Sequence, residues 1–214
     1  MRRGRGLFIV LEGPDKSGKS TQARLLVERL RGSGFKVAHT REPGGAAIAE
    51  KIRELVLSPR HRVHPVAELL LYEAARAQHT EETLRPALAA GKIVICERYT
   101  MSTTVYQGFA RGLDPRLVAS ANRLATGGLR PALTFVFDLP EAEFERRGAA
   151  RPLDRLEREP ASFRRRVRAG YRRLRGPGIV SLDGRRPIAE LQDEMLRRLR
   201  PCLVKILPCN DKAS

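Results

Sequence analysis

The chain is poor in aromatic residues and in acidic ones. Among its 214 residues there is no tryptophan, aromatic residues make up 5%, and 24 acidic side chains stand against 41 basic ones, for a formal net charge of +17. The aromatic residues do not alternate with the basic runs, as a stacking platform for nucleic acid requires. We therefore do not expect nucleic acid to be the main partner. The arginine excess is typical of a solvated surface around a site for anionic substrates.

Cysteine is scarce, and long apolar runs are absent. The three cysteines, Cys96, Cys202 and Cys209, are odd in number and lack the spacing of metal ligands, which predicts reduced thiols. No apolar run has the length of a transmembrane helix, and the N-terminus lacks the apolar segment of a signal peptide. We expect a cytoplasmic protein without a membrane partner.

A glycine-rich segment follows the first apolar stretch. The segment GPDKSGKST, residues 13–21, fits the spacing G-x-x-x-x-G-K-S/T and leads into an amphipathic pattern. Glycines let backbone N–H groups surround phosphate oxygens, the lysine reaches the phosphates, and the hydroxyl can hold Mg²⁺. The segment predicts a nucleotide-binding phosphate loop. Its predicted binding residues are Gly13, Pro14, Asp15, Lys16, Ser17, Gly18, Lys19, Ser20 and Thr21.

Apolar segments alternate with amphipathic ones along the chain, the pattern of a parallel sheet covered on both faces. Strands are predicted at 7–12, 35–40, 92–97, 133–138 and 179–182. Helices are predicted at 19–31, 46–57, 65–90, 115–126, 141–147, 160–175 and 187–200. We predict an α/β fold with a single domain at 1–208 and a frayed tail at 209–214.

Polar and cationic residues follow the predicted strands. The phosphate loop comes after the first strand, TREPGG (40–45) after the second, and ERYTMSTTVYQG (97–108) begins where the third ends. An arginine-dense segment at 146–158 follows the fourth strand and its short helix. Because ligands bind beyond the carboxyl ends of parallel strands, we expect the site at this edge of the sheet.

Five motifs occur together in this chain: EGPDKSGKST, TREPGG, AAR at 74–76, RYTMSTTVYQG, and DRLE at 154–157. In their order and spacing they resemble the thymidylate kinase family over nearly the whole chain. The resemblance implies a three-layer P-loop NTPase fold with a five-stranded parallel sheet, helices on both faces and a short lid at about 146–158. It also implies the reaction ATP + dTMP → ADP + dTDP with Mg²⁺.

A homodimer is likewise implied by the resemblance alone. The apolar positions on the predicted helices at 46–57 and 65–90 would serve equally well for packing on the sheet. The sequence therefore does not establish an interface.

The resemblance also assigns residues to the acceptor nucleotide. Arg98 and Arg53 match contacts to its phosphate, although the surroundings of Arg53 are equally typical of a solvated helix face. Tyr72 and Arg76, four apart on one helix, match a ring stacked on the base and a donor to its carbonyl group. A core tyrosine beside a surface arginine is the alternative. The remaining matches are Thr103 and Gln107 at the base, Tyr106 beside the sugar, and Asp15 at its 3′-hydroxyl.

Ser20 and Glu97 are the predicted residues of the Mg²⁺ site. The family usually has aspartate where this chain has Glu97, so the carboxylate here is one methylene further from the backbone. Because Mg²⁺ retains waters, bridging water can absorb this shift, and we expect activity to be retained. Asp138 is a rival candidate, although its position after a strand is more typical of a cap on the following turn.

Direct in-line transfer requires positioning and charge neutralisation rather than a covalent intermediate. The cation at the moving phosphoryl group has two candidate sources, Lys16 in the loop and the arginines of the lid. We expect Arg155, in DRLE, to carry the larger share, with Lys16 either supplementing it or pointing to solvent. The predicted catalytic residues are Lys19, Arg155, Lys16, Arg98 and Asp15. Arg147 and Arg151 are further arginines of the predicted lid.

Two other functions stay open at this point. A kinase for another nucleoside or nucleotide would share the phosphate loop and differ in the base pocket. A non-catalytic, basic P-loop protein would instead bind nucleic acid or a protein partner, and DNA binding of that kind would weaken steeply with salt.

Overall fold

A computed structural model describes residues 6–148 and 153–206 of the chain. Its strands are β1 (Leu7–Glu12), β2 (Val37–Arg41), β3 (Ile93–Glu97), β4 (Leu133–Asp138) and β5 (Ile179–Asp183). They form one five-stranded, all-parallel sheet in the order β2-β3-β1-β4-β5. The predicted fold class is confirmed.

Helices lie on both faces of this sheet. They are α1 (Lys19–Gly32), α2 (Ala47–Leu57), α3 (Pro65–His79), α4 (Arg85–Ala89), α5 (Thr100–Thr103), α6 (Pro115–Thr126), α7 (Glu141–Arg146), α8 (Ala161–Arg173) and α9 (Ile188–Val204). The predicted helix at 65–90 consists of α3 and α4 joined by a π-helical turn at Thr80–Leu84. A second π-helical turn, Thr104–Ala110, follows α5.

Alternate side chains of β1 divide the core between the two faces of the sheet. Ile9 packs with Leu26 of α1 and Met195 of α9, and all three are fully buried. On the other face, the rings of Phe8 and Tyr99 pack edge to face with centroids 5.0 Å apart. Because both faces are covered, a ligand can reach this strand only at its end.

The segment after β3 is helical, although no helix was predicted there. Its threonines and valine have low helix propensity, so tertiary contacts decide the conformation. The buried carboxylate of Glu12 accepts the backbone N–H groups of Tyr99 at 2.8 Å and Ser102 at 3.1 Å. These are donors that the start of a helix leaves without intrahelical partners.

In the ranges described, no helix combines the length and the apolar character needed to cross a bilayer. The tail at 209–214, with Cys209, and the lid residue Arg151 lie outside the described residues.

Candidate active site

The phosphate loop lies between the carboxyl end of β1 and the first turn of α1. Gly13 has a φ of 137°, and a Cβ there would lie 2.5 Å from the carbonyl oxygen of Phe137, so only glycine fits. The space above the loop is termed the loop cavity. Besides residues 15–21, its walls include Arg41, Arg53, Glu97, Arg98 and Arg147.

Lys19 lies beneath the loop, where its Nζ donates to the carbonyl oxygens of Gly13 at 2.9 Å and Pro14 at 2.6 Å. Burial, together with the charge of Arg98, lowers the pKa of the Lys19 ammonium group to about 7. An anion in the loop cavity would favour the charged lysine. The first turn of α1 adds the positive end of its helix dipole. The loop cavity is therefore suited to phosphate.

The two predicted metal-site residues are in contact. Ser20 Oγ donates to Glu97 Oε2 at 2.5 Å, and Glu97 Oε1 lies 2.9 Å from Nε2 of His39 on the neighbouring strand. Burial opposes ionisation of Glu97, but hydrogen bonds from His39 and Ser20 hold the pKa of Glu97 below its ordinary value. Asp138, the rival candidate, instead accepts two hydrogen bonds from Arg168, at 2.7 and 3.0 Å.

Arg98 and Asp15 form an ion pair between the loop and the end of β3. Arg98 has a φ of 70°, which residues other than glycine rarely adopt, and it also donates to the carbonyl oxygen of Gly13 at 3.2 Å. Asp15 accepts a further hydrogen bond from the hydroxyl of Tyr106 at 3.2 Å. Burial opposes ionisation, yet the charges of Arg98 and Lys19 hold the pKa of Asp15 below its ordinary value.

Glu12, for which no role was predicted from the sequence, holds this arrangement in place. Its buried carboxylate accepts the hydroxyl groups of Ser102 at 2.6 Å and Tyr171 at 2.9 Å, in addition to the N–H groups after Arg98. Burial raises the pKa of Glu12, although these hydrogen bonds oppose the shift. The carboxylate fixes the turn from which the Arg98 side chain projects. Its place within EGPDKSGKST was the signal that the sequence offered.

A second cavity lies between α3 and the helical segment after β3, and it is termed the inner cavity. Its walls include Tyr72, Arg76, Thr103, Tyr106, Gln107 and Leu156. It shares Asp15, Glu42, Arg53 and Arg98 with the loop cavity. The structure therefore brings all the predicted acceptor residues to one cavity.

Arg76 is buried in this cavity wall, so the alternative of a surface arginine is wrong. Its guanidinium pairs with Glu42 at 2.7 Å and Glu73 at 2.5 Å, and it donates to Thr103 Oγ1 at 2.8 Å. Tyr72, one turn earlier on α3, is also buried. The carboxylates fix the plane of the guanidinium before any ligand arrives.

Arg53 projects from α2 into the site. Its Nη1 donates to the carbonyl oxygen of Pro43 at 2.8 Å, and the residue lines both cavities. The alternative of a fully solvated helix position is therefore wrong.

Two arginines of the predicted lid, Arg147 and Arg155, point to different places. Arg147 donates to the carbonyl oxygens of Lys16 at 2.8 Å and Gly184 at 2.7 Å, beside the loop cavity. Arg155 Nε donates to the carbonyl oxygen of Val56 at 2.8 Å, and its Nη1 pairs with Glu68 at 2.6 Å. The structure thus corrects the expected position of Arg155, because a buried carboxylate holds its guanidinium away from the phosphate loop.

Lys16 contacts α7 rather than solvent. Its Nζ lies 4.0 Å from the centroid of the Phe144 ring and 3.4 Å from the carbonyl oxygen of that residue. The side chain therefore connects the loop to the helix that precedes the lid. The expectation that its ammonium group lies at the phosphates is not met in this arrangement.

The parallel sheet, the loop after β1 and the cationic cavity above it define a P-loop protein built to bind nucleotide phosphate. A family model described as thymidylate kinase matches residues 11–195. Thymidylate kinase from Halothermothrix orenii is 45% identical over 94% of this chain and 100% of that protein, and the enzyme from Pseudomonas fluorescens strain SBW25 is 47% identical over 94% and 97%. The chain belongs to the thymidylate kinase family.

A solved structure agrees with this assignment. The crystal structure of thymidylate kinase from Ehrlichia chaffeensis superposes with a TM-score of 0.73 at 30% identity, covering 91% of this chain and 99% of that one.

Proposed function

We propose that this protein transfers the γ-phosphoryl group of ATP to dTMP and forms ADP and dTDP. The observation that carries the proposal is the wall shared by the two cavities, which Asp15, Arg53 and Arg98 line from both sides. A donor phosphate on the loop and an acceptor phosphate on the two arginines would meet across this wall. In-line transfer between two anions requires this proximity and this neutralisation of charge.

The acceptor phosphate binds Arg98 and Arg53, whose guanidinium groups offer paired N–H donors. Asp15 accepts a hydrogen bond from the 3′-hydroxyl, and Tyr106 lies beside the sugar. The hydroxyl of Tyr106 donates to Asp15 at 3.2 Å, so the Asp15 carboxylate, a hydrogen-bond acceptor, lies next to the Tyr106 ring. This contact supports both assignments.

The base lies against the ring of Tyr72, with Arg76 donating to a base carbonyl and with Thr103 and Gln107 at its edge. The ion pair of Arg76 with Glu42 supports this role, since a fixed donor loses little freedom when the base binds.

Mg²⁺ fits beside Ser20 and Glu97, because a hydroxyl and a carboxylate 2.5 Å apart are the hard oxygen donors that this ion prefers. The ion, when bound, supplies positive charge that neutralises the phosphates. His39 holds one carboxylate oxygen of Glu97, so the other is directed at Ser20. The contact with His39 thereby fixes the position of the Glu97 carboxylate and compensates for the greater reach and freedom that its extra methylene gives.

Charge on the transferred group is neutralised by Lys19 from below and by Arg147 from the lid side. The contacts of Arg147 with the backbone of Lys16 and Gly184 support its role, since they hold its guanidinium at the loop cavity. Lys16 acts through Phe144, which links the loop to α7. Arg155 acts at the inner cavity, beside Leu156.

We also propose a homodimer through α2, α3 and α6. Apolar side chains are exposed on each of these helices: Ile48 by 53%, Leu55 by 49%, Leu70 by 61% and Leu124 by 86%. Because the three helices pack side by side, these side chains favour association with a second copy. Sedimentation at micromolar concentration should show the dimer, and Leu70→Asp should weaken it. A monomer alone would remove this proposal.

The reaction is tested by ADP release with dTMP, dUMP, dCMP and thymidine as acceptors. We expect the highest turnover with dTMP and a requirement for Mg²⁺. Faster turnover with another acceptor would establish the alternative kinase. Salt-sensitive DNA binding without dTMP-dependent ADP release would favour the non-catalytic protein. The free thiols of Cys96 and Cys202 fit a reducing compartment, and we propose the cytoplasm.

A further inference from the structure

Glu68 is a buried carboxylate that contacts Gln107, a residue of the inner cavity wall, in addition to Arg155. It lies one turn before Tyr72 on α3, on the same face of the helix as Tyr72 and Arg76. Its side chain is 0% exposed. A buried ionised carboxylate needs hydrogen-bond donors around it, and the donors of Glu68 determine how neighbouring polar groups are oriented.

Hydrogen bonds satisfy both oxygens of Glu68. Oε1 accepts from Gln107 Nε2 at 2.8 Å and from Arg111 Nε at 3.2 Å, whereas Oε2 accepts from Arg111 Nη2 at 3.1 Å and pairs with Arg155 Nη1 at 2.6 Å. Burial opposes ionisation, yet the hydrogen bonds from Arg111 and Gln107 hold the pKa of Glu68 below its ordinary value. At neutral pH the carboxylate is ionised and can only accept hydrogen bonds.

An acceptor of this kind selects one orientation of the Gln107 amide. The NH₂ end must face Glu68, because the reverse orientation would place two acceptors in contact and leave a buried group unsatisfied. The carbonyl oxygen is then the amide group left for the inner cavity, which Gln107 lines. Glu68 therefore determines the hydrogen-bond polarity that Gln107 presents there.

Arg76 by itself cannot distinguish thymine from cytosine. Its guanidinium offers only donors, and a donor suits O4 of thymine, O2 of either pyrimidine or N3 of cytosine equally. A hydrogen-bond acceptor beside Arg76, the Gln107 carbonyl oxygen, makes the site selective between these bases. The pair then matches thymine and uracil, which present a carbonyl oxygen next to an N3–H group, and opposes cytosine, whose N3 is an acceptor.

We propose that Glu68 determines base specificity by holding the Gln107 carbonyl oxygen toward the base. The inference rests on the proposed function, because it concerns the nucleotide in the same inner cavity. Glu68 is a positioning residue, since it acts on the base through Gln107.

The test compares the dissociation constants of dTMP and dCMP, measured by calorimetry without ATP. Glu68→Gln can donate as well as accept, so it releases the Gln107 amide to turn. We expect the preference for dTMP over dCMP to fall about tenfold or more in Glu68→Gln, and equally in Gln107→Leu. In the double variant the preference should fall no further than in Gln107→Leu alone, because both changes remove one effect.

Arg111→Lys is the matched control for a purely structural role. It weakens the ion pair with Glu68 while it keeps both the carboxylate and Gln107, so it should lower Tm and leave the preference unchanged. Where Glu68→Gln does not fold, Glu68→Asp takes its place, since its shorter side chain keeps the charge and loses the contact with Gln107. Gln107→Leu keeps every ion pair and provides a further independent measurement.

An unchanged preference in Gln107→Leu, or in a folded Glu68 variant, would overturn the inference. Additive losses in the double variant would also overturn it. A wild-type protein that prefers dTMP in binding but releases no ADP would remove the proposed function, and the Glu68 inference would stand.

Discussion

Arg147 and Arg155 belong to one arginine-dense segment and do opposite things. Arg147 contacts backbone carbonyl oxygens at the loop cavity, and its ion pair with Glu143 is long, at 3.9 Å, so its charge remains available to a phosphate. Arg155 is 10% exposed and paired with the buried carboxylate of Glu68. We infer that the distance and burial of the counter-charge, rather than the presence of an arginine, decide which cation serves the phosphates.

The difference follows from the chemical groups that each arginine contacts. Carbonyl oxygens orient a guanidinium without neutralising it, and the carboxylate of Glu143 is 3.9 Å away and partly exposed. Arg147 therefore remains able to stabilise developing negative charge. A buried carboxylate neutralises its partner, and separating the two would leave an unpaired charge in the interior. Arg155 is therefore expected to shape the inner cavity rather than to act on the phosphoryl group.

The largest expected effect is that of Arg147→Ala. It should lower kcat by about 10²-fold with little change in the KM for dTMP, because it removes a donor to the transition state. Steady-state ADP release measures both constants. The neighbouring Arg146→Ala is the matched control, since Arg146 pairs with Glu143 at the surface and should leave kcat nearly unchanged. A loss of less than threefold in Arg147→Ala would contradict its assignment to the loop.

Arg155→Ala should affect acceptor binding instead. We expect the KM for dTMP to rise about tenfold and kcat to stay within about threefold, because the change loosens the wall that Leu156 forms at the inner cavity. Arg158→Ala is the control, because the Arg158 side chain is exposed and donates to the carbonyl oxygen of Leu153. A kcat loss as large as that of Arg147→Ala would mean that Arg155 acts on the transferred phosphoryl group.

The two arginines also show what the sequence could predict. The strand–loop–helix pattern around Lys19 predicted the phosphate loop, because local spacing alone determines that geometry. The spacing of Tyr72 and Arg76 likewise predicted a shared helix face. The direction of Arg155 was not predictable, because it depends on Glu68, a residue 87 positions away in the chain.

Glu12 and His39 were missed for the same reason. Each acts by contacting a residue from another part of the chain, Ser102 for Glu12 and Glu97 for His39. The motif EGPDKSGKST contains Glu12 but does not identify its partner Ser102, and the contact of His39 leaves neither a periodicity nor a motif in the sequence. Secondary structure and single-motif chemistry could be predicted, whereas the pairing of charges required the packed structure.

Lys16→Gly should have a small effect on both kcat and stability. Lys16 has a φ of 58°, so glycine relieves a conformation that costs about 1–2 kcal/mol, while the lost contact with the Phe144 ring is worth about 0.5–1 kcal/mol. We expect kcat within about threefold of wild type. Lys16→Ala keeps the backbone strain and should be less stable than Lys16→Gly in chemical denaturation. The reverse order of stability would contradict this account.

The smallest expected effect belongs to an exposed pair, Asp183 and Arg185, which contrasts with the buried pair of Glu68. Hydrogen bonds from the side chain and backbone of Arg185 lower the pKa of Asp183 to about 2. A lowered carboxyl pKa stabilises the fold above the unfolded pKa of about 3.9, and this stabilisation is lost as the pH falls toward the folded value. Because the pair is solvent-exposed, Asp183→Asn should cost only about 0.5 kcal/mol at pH 7. Urea denaturation should show this difference shrinking between pH 5 and pH 3, and a difference independent of pH would mean that the ion pair contributes nothing.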